Sequence, residues 1–482
     1  MKIILTILLS TLILTANSLK ETKESIVKIY TTSKVPNYIV PWNSTTSAST
    51  GSGSIIEGNR ILTNAHVVAN HTFIEVEKYG DRKKYIAKVI AVSHQADLAL
   101  LEVENKEFFK GTKPLKFGGL PEIEEKIVIY GYPMGGRTLS ATTGVVSRIE
   151  HHVYAHSGET FLSIQVDAAV NPGNSGGPAL SKGKIVGVVM QGIPKAQNIG
   201  YLVPVSMIKH FLKDIEDGKY NGFADIGLTT QNLENPSIRE YYKLNDKDTG
   251  KLVINMVYNS SAKDTIKVGD ILTAIDGHNI ENDGTVEFRE NEYTDYNYYL
   301  DKYQMGESAK IDIIRNGKKM SVNVKLKDKA NDILLVKTTQ YDKMPSYTIL
   351  GGYVFTPLTR NLLLSTKANR TELSYYASQW PTKKKKEIVV LLRVLATDIS
   401  RGNNGFVMWP VIKINGKTFK DFKEFSKILD EAKNKFIILE DEDGVKLIIN
   451  KEQAKNKEQE ILERYNIEFT KSADLRDKNI CK

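Results

Sequence analysis

A mainly β fold, with antiparallel sheet closed into barrels and followed by smaller α+β modules, is what this 482-residue chain predicts. Three observations carry that reading. Short β-branched or aliphatic runs recur from Ser25 to about Met190: Ser25 to Tyr30, Phe73 to Val76, Tyr85 to Val92, Lys126 to Tyr130, Thr142 to Ile149 and Phe161 to Val166. Gly, Pro and Asn separate these runs and helical periods are few, the pattern of antiparallel strands closing into barrels. The length exceeds what one hydrophobic core organises, so roughly two to four domains are expected.

In chain order the first element is Met1 to Ser18. Lys2, the near-continuous apolar run Ile3 to Ala16 and the small residues of Ala16-Asn-Ser18 read as a secretory signal cleaved after Ser18. The run falls short of the ~20 residues that a membrane-spanning helix needs, so no stable span is expected after cleavage, retention as an uncleaved anchor being the alternative. The single cysteine, Cys481, can form no internal disulfide, and an oxidising compartment suits such a chain. Hydrophobic content of 41% with 26% charged residues is that of a soluble globular protein. The net charge of +9 is spread among acids, and the one tight basic run, Lys383 to Lys386, reads as a solvated loop, so no nucleic-acid partner is expected.

Residues 32 to 50, rich in Ser, Thr, Pro and Asn, read as a long exposed loop. Gly53 to Leu62 is strand-like and leads to Thr63-Asn-Ala-His-Val-Val68, which sets His66 just past an apolar run. Ala96-Asp-Leu-Ala-Leu-Leu101 puts one carboxylate, Asp97, into an apolar strand. Asn171-Pro-Gly-Asn-Ser-Gly-Gly-Pro-Ala-Leu180 then sets Ser175 between glycines, flanked by the apolar segments Ile164 to Val170 and Lys184 to Met190. Each is ordinary alone: a satisfied histidine, a strand-edge charge, a β-turn. Together, in the order His, Asp, Ser, they match a chymotrypsin-type triad. A serine hydroxyl attacks a carbonyl only if a base takes its proton and donors hold the oxyanion. Ser175 is the nucleophile in this reading, His66 the base and then the acid, and Asp97 the group that fixes the imidazole tautomer. The glycines let the amides of Gly173 and Ser175 converge on one oxygen, and Gly173, Asn174 and Ser175 together form the expected oxyanion hole.

These segments resemble the HtrA/Deg family of serine proteases, which also shares Gly51-Ser-Gly-Ser54, Gly131-Tyr-Pro-Met-Gly-Gly136 and Asn198-Ile-Gly-Tyr-Leu-Val-Pro204. Beyond Gly222 the likeness is to the plant-type Deg branch, through Gly222-Phe-Ala-Asp-Ile-Gly-Leu228, Asn282-Asp-Gly-Thr-Val286, Asp342-Lys-Met-Pro-Ser-Tyr347 and Ile461-Leu-Glu-Arg-Tyr-Asn-Ile467. The resemblance implies a chymotrypsin-like double β-barrel protease domain over 19–220, closed by a helix from Val205 to Ile215. It implies a first PDZ domain over 221–330, a diverged PDZ-like domain over 345–450 and a charged helical extension over 451–482. It further implies an ATP-independent serine endopeptidase acting on unfolded or damaged proteins, a homo-oligomer built from trimers, and a periplasmic location. It makes 32–50 a regulatory loop, and it implies no cofactor. The alternative is a chaperone or scaffold that binds misfolded polypeptides with its protease activity latent.

Specificity should come from residues before Ser175 and the strand after it: Val170, Met190 and Ile193, all apolar, which points to cleavage after Val, Ile, Ala or Leu. In the first PDZ domain, Val268 to Gly277 gives turn, strand and turn, and Ala309 to Arg315 with Met320 to Leu326 forms a hairpin around Asn316-Gly317. Ile226-Gly227-Leu228 is then the loop whose amides receive a peptide carboxylate, the peptide adding as a strand. Val411 to Gly416 echoes the first copy, and Phe419 to Leu429 has helical spacing, but Trp409-Pro410 replaces Gly-Asp, which favours assembly over peptide binding. Gly131 to Gly136 lacks the lysine of a phosphate loop. His151, His152 and His156 fit no zinc spacing and read as a solvent loop, so no metal is expected. Tyr293, Tyr296, Tyr298, Tyr299 and Tyr303 read as one face of a helix.

Overall fold

A computed structural model describes residues 19–134, 136–192, 199–366 and 371–476. The leader 1–18 and Cys481 lie outside the described residues. The described residues form two compact units, one within 19–33, 47–256 and 260–329, the other within 34–46, 257–259 and 330–476.

The first unit begins with two closed barrels. The strands of the first are β1 (Ile26–Pro36), β2 (Ser44–Ile56), β3 (Arg60–Thr63), β4 (His71–Lys78), β5 (Tyr85–Ser93) and β6 (Leu98–Val103), in the order β1-β2-β3-β6-β5-β4. The second uses β7 (Lys126–Gly131), β8 (Ser140–Val153), β9 (Thr160–Val166), β10 (Pro178–Ser181), β11 (Lys184–Gly192) and β12 (Gly200–Pro204), in the order β10-β11-β12-β9-β8-β7. Period-2 alternation fills each interior: Val27, Ile29, Ile55 and Leu101 in the first, Ile127, Ile129, Ile164 and Leu202 in the second. A further apolar cluster joins the barrels, with Leu62, Leu98 and Leu100 meeting Tyr130, Leu180 and Val188. The helix Val205–Asp214 closes this cluster with Met207, Ile208 and Phe211. Burying each such side chain contributes about 1.5–3 kcal/mol, so the seam between barrels is firm where the candidate site sits.

The same unit carries β13 (Leu228–Asn232), β14 (Lys251–Met256), β15 (Ile271–Ile275), β16 (His278–Asn279), β17 (Thr285–Arg289), β18 (Glu292–Asp295), β19 (Ser308–Arg315) and β20 (Lys318–Lys325). The main sheet runs β13-β14-β15-β19-β20, which leaves β13 at an edge. Arg315 pairs with Lys318 across Asn316-Gly317, both at positive φ, the two-residue turn that strand twist favours. Two sequence expectations need correction here. His151 lies on β8 with its side chain 4% exposed, its Nε2 3.1 Å from Asp301 and its Nδ1 2.8 Å from the Thr294 hydroxyl, and His152 stacks on Tyr201. They serve packing rather than a solvent loop. The tyrosines do not share a helix face, because only Asn297–Leu300 is helical, and Tyr293 sits on β18 half exposed.

The second unit holds two four-stranded sheets. One orders β21 (Thr348–Leu350), β22 (Tyr353–Pro357), β23 (Val389–Val394) and β24 (Trp409–Val411); the other orders β26 (Lys417–Thr418), β25 (Lys413–Ile414), β27 (Phe436–Glu440) and β28 (Lys446–Asn450). The helix Phe422–Glu431 starts where the Asp421 carboxylate accepts the Glu424 amide at 2.9 Å. Pro410 falls on the edge strand β24, where a missing N–H is tolerated. The helical extension expected over 451–482 is not one continuous helix among the described residues. Lys451–Asn456 and Glu458–Arg464 are short helices that bury Ala454 and Ile461, and the Ile349 amide then donates to Thr470 O while the Ser472 amide donates to Tyr347 O. The tail thereby caps β21. Residues 34–46 also depart from the exposed loop expected of 32–50, because Tyr38, Ile39 and Trp42 pack into this unit's apolar cluster, with Trp42 edge-on to Tyr347.

Candidate active site

The histidine and aspartate come from adjoining elements of the first barrel. β3 ends at Thr63, buried Asn64 follows, and the short helix Ala65–Val68 presents His66 with its side chain 33% exposed. Asp97 immediately precedes β6, fully buried, at a φ of 53° that side-chain-bearing residues avoid. Such a conformation costs about 1–3 kcal/mol. Three bonds hold it: Asn64 Nδ2 donates to Asp97 O at 2.7 Å, the His66 amide donates to Oδ1 at 2.9 Å, and His66 Nδ1 donates to Oδ2 at 2.7 Å. Bonds to a charged group contribute about 1.5–3 kcal/mol each, so they outweigh the strain. Burial opposes charge on both partners. The Asp97 carboxylate nevertheless raises His66 above its ordinary 6.5, and His66 draws the Asp97 carboxyl below its ordinary value. The geometry assigns the proton on His66 to Nδ1 and leaves Nε2 as the basic nitrogen.

Ser175 sits on a turn held from every side. The Gly176 amide donates to Val189 O, the Gly177 amide to Asn174 O, and the Ser52 amide to Ser175 O, each at 2.9 Å. A Cβ at Gly176, whose φ is +82°, would lie 2.2 Å from Ser52 O and from Thr63 Oγ1. The serine turn thus stands directly against the residues that lead into His66. At Gly173, φ +99°, a Cβ would lie 2.4 Å from Tyr132 O, so glycine is required there too. The Met134 amide donates to Pro172 O at 2.7 Å and so fixes the plane of the peptide that carries the Gly173 N–H. Asn174 is a correction to the expected trio of oxyanion donors: its amide donates to Asn171 O at 3.0 Å, closing the turn itself. The Gly173 and Ser175 amides have no partner among the described residues. The Ser175 hydroxyl donates to Met190 O at 3.3 Å, a long and weak bond for a hydroxyl.

Of the expected specificity residues, Met190 is buried next to this turn and Val170 is partly buried, while Ile193 lies outside the described residues. Val170 packs so close to Gly200 that a Cβ there would come within 2.4 Å of it. One neighbour of the site corrects the solvent-loop expectation for a third histidine. His156 stands with its ring 6.1 Å from that of His66 and hydrogen-bonds His94 at 2.9 Å, while Gln191 of β11 accepts the adjacent Ala155 amide at 2.7 Å. Only the placement of His94 three residues before Asp97 hints at this. In the first PDZ-like sheet, the Gly227 amide already donates to the Asp225 carboxylate at 2.6 Å, so of the three amides expected to receive a peptide carboxylate one is occupied.

Family models match as a trypsin-like peptidase domain over residues 51–188 and as PDZ domains over 224–326 and 336–474. The chain is 38% identical to Protease Do-like 4, mitochondrial, of Arabidopsis thaliana, over 94% of this chain and 86% of that protein. Protease Do-like 2, chloroplastic, of the same plant is 37% identical, covering 94% of this chain and 75% of that one. Among solved structures, the HtrA-type protease AlgW with tripeptide aligns with a TM-score of 0.51 at 23% identity, covering 65% of this chain and 96% of the other, a likeness of fold.

Proposed function

Since this chain belongs to the HtrA/Deg family of trypsin-like, PDZ-containing serine proteases, we propose that Ser175, His66 and Asp97 are the triad of its endopeptidase activity. The observation that carries this is the buried Asp97 carboxylate accepting both His66 donors, at 2.9 and 2.7 Å, beside the serine turn. In the reaction Ser175 Oγ attacks the scissile carbonyl as His66 Nε2 takes its proton. The Gly173 and Ser175 amides hold the oxyanion, and His66 returns the proton to the leaving amine. Water then hydrolyses the acyl-enzyme by the same route. Substrates are unfolded or damaged polypeptides, cleaved without ATP, with apolar Val170 and Met190 at the primary pocket. A resting, chaperone-like state is a second reading, favoured by the Ser175 hydroxyl turning to Met190 O. Replacing Ser175 by alanine separates the two.

Regulation follows from β13 lying at a sheet edge, open for a peptide to add as a strand. Peptides with a free apolar C-terminus should speed cleavage of an unrelated reporter, and the same peptides amidated should not. Equal stimulation by both forms would mean that this domain does not read C-termini. Replacing Gly227 (φ +73°) by a bulky residue should remove the effect. A bound peptide activates only by favouring the competent conformation.

We also propose a homo-oligomer built from trimers. Light scattering on the full chain should give a mass divisible by three protomers, and a monomer would discard the idea. The periplasmic expectation gives way, because Protease Do-like 4 is named mitochondrial and Protease Do-like 2 chloroplastic. We propose an organelle reached through residues 1–18, so that a fluorescent reporter fused to them should leave the cytosol. Retention there counts against it.

A further inference from the structure

We propose that Ser52 is a positioning residue for the reaction, its buried hydroxyl locking the Gly173–Ser175 turn in the shape that holds the oxyanion. The inference rests on Ser175 being the nucleophile. Ser52 belongs to β2 of the first barrel and is wholly buried, yet its bonds reach across the barrel seam. Its amide donates to Ser175 O at 2.9 Å, and its hydroxyl donates to Gly173 O at 2.7 Å. The same hydroxyl oxygen accepts the Tyr132 amide at 2.8 Å, just past the end of β7, and Ser52 O accepts the Thr63 hydroxyl at 2.7 Å. One residue thus ties both ends of the serine turn to the strand beside it and to the approach to His66.

The hydroxyl has no freedom to choose another arrangement. It carries a single proton, and with Tyr132 N–H on the oxygen that proton satisfies Gly173 O. The slot admits little more than serine: a Cβ on Gly131 would come 3.1 Å from Oγ, and one on Gly177 would come 3.3 Å from the Ser52 Cβ. Without the hydroxyl, Gly173 C=O and Tyr132 N–H lose these bonds in a buried place, a costly state that rotation of the Gly173–Asn174 peptide relieves. That rotation shifts the Ser175 amide relative to the Gly173 amide, and preorganised donors lose much of their effect with small displacements. The loss falls on the transition state, because the ground-state carbonyl does not depend on those donors to the same degree.

The test compares wild type and Ser52→Ala in the full chain, using a peptide the wild type cleaves. Losing one oxyanion donor outright costs about 10²–10³ in kcat, so loosening two by way of Ser52 should cost about 10- to 100-fold, with KM within about twofold. Affinity for a peptide boronate, whose tetrahedral adduct carries the oxyanion, should fall by the same factor as kcat/KM, while affinity for a product peptide holds. A lowered Tm with kcat unchanged, or boronate affinity that does not follow kcat/KM, overturns the proposal. Should Ser52→Ala fail to fold, Ser52→Cys keeps a weak donor of similar volume and should give an intermediate kcat at unchanged KM; wild-type kcat there overturns the proposal equally. A wild type inert to both peptide and boronate removes the nucleophile assignment itself, whereas an active wild type matched by its variants removes only the role of Ser52.

Discussion

Replacing Ser175 by alanine should lower turnover of an unfolded model protein by about 10⁶-fold, the scale on which serine proteases lose activity when the nucleophile is removed. Folding should survive, since the hydroxyl makes only the 3.3 Å bond to Met190 O and the turn is held by backbone bonds from Gly176, Gly177 and Ser52. The Tm should stay within a few degrees of wild type. The same variant decides between protease and chaperone. If Ser175→Ala suppresses aggregation of a denatured client as well as wild type does, and wild type produces no fragments, the chaperone reading prevails. If wild type digests the client and the variant does not, Ser175 is the nucleophile. Retained digestion by the variant would place the nucleophile elsewhere.

Asp97→Asn should lower kcat by about 10⁴, or about 5.5 kcal/mol of transition-state stabilisation. The carboxylate accepts from both the His66 amide and Nδ1, and an amide side chain can present one acceptor only. Its NH₂ group would face a donor and favour the tautomer whose proton sits on Nε2, where the base is needed. A pH profile gives a second reading of the same contact. Burial works against the imidazolium, yet Asp97 stabilises it enough to hold His66 above its ordinary 6.5 in wild type. Activity requires the neutral imidazole, so kcat/KM should fall with decreasing pH through a midpoint above 6.5. In Asp97→Asn that midpoint should move to lower pH. An acid limb that stays in place, or activity within about tenfold of wild type, would remove Asp97 from the site.

The same contact has a consequence for stability. A histidine raised in the folded state contributes stability that is fully present below its unfolded value and is lost as pH rises through the folded value. Asp97, lowered in the folded state, contributes stability that is lost as pH falls through its folded value. The pair is therefore most strongly held between the ordinary values of the two groups, 3.8 and 6.5, and weakens as pH rises toward the raised His66 value or falls toward the lowered Asp97 value. His66 is one-third exposed, so its share is reduced by solvent screening.

Much of the protein is legible in its amino-acid sequence. Alternation and turn residues announce β sheet because side-chain direction in a strand repeats every two residues, and Asn316-Gly317 announces its hairpin because few pairs accept two positive φ angles in succession. The triad candidates stand out through residue type and order, since nucleophile, base and orienting carboxylate each require a particular functional group. Sequence does not disclose which groups already have partners. Asn174 belongs with the oxyanion donors by position, yet its amide closes the turn on Asn171. Gly227 is placed to meet a ligand, yet Asp225, two residues away, binds its amide. His151 has the spacing of a loop residue, and only the packing of β8 beside Thr294 and Asp301 buries it. The extension from Lys451 is charged and periodic like one helix, yet it breaks into two, and Thr470 and Ser472 cap β21. Local chemistry thus announced the barrel strands, the order of the domains and the candidate reactive groups. Tertiary structure alone decided which amides remain to act, because a hydrogen bond between residues far apart in sequence leaves no periodic trace, as the Ser52 hydroxyl reaching Gly173 across 121 residues shows.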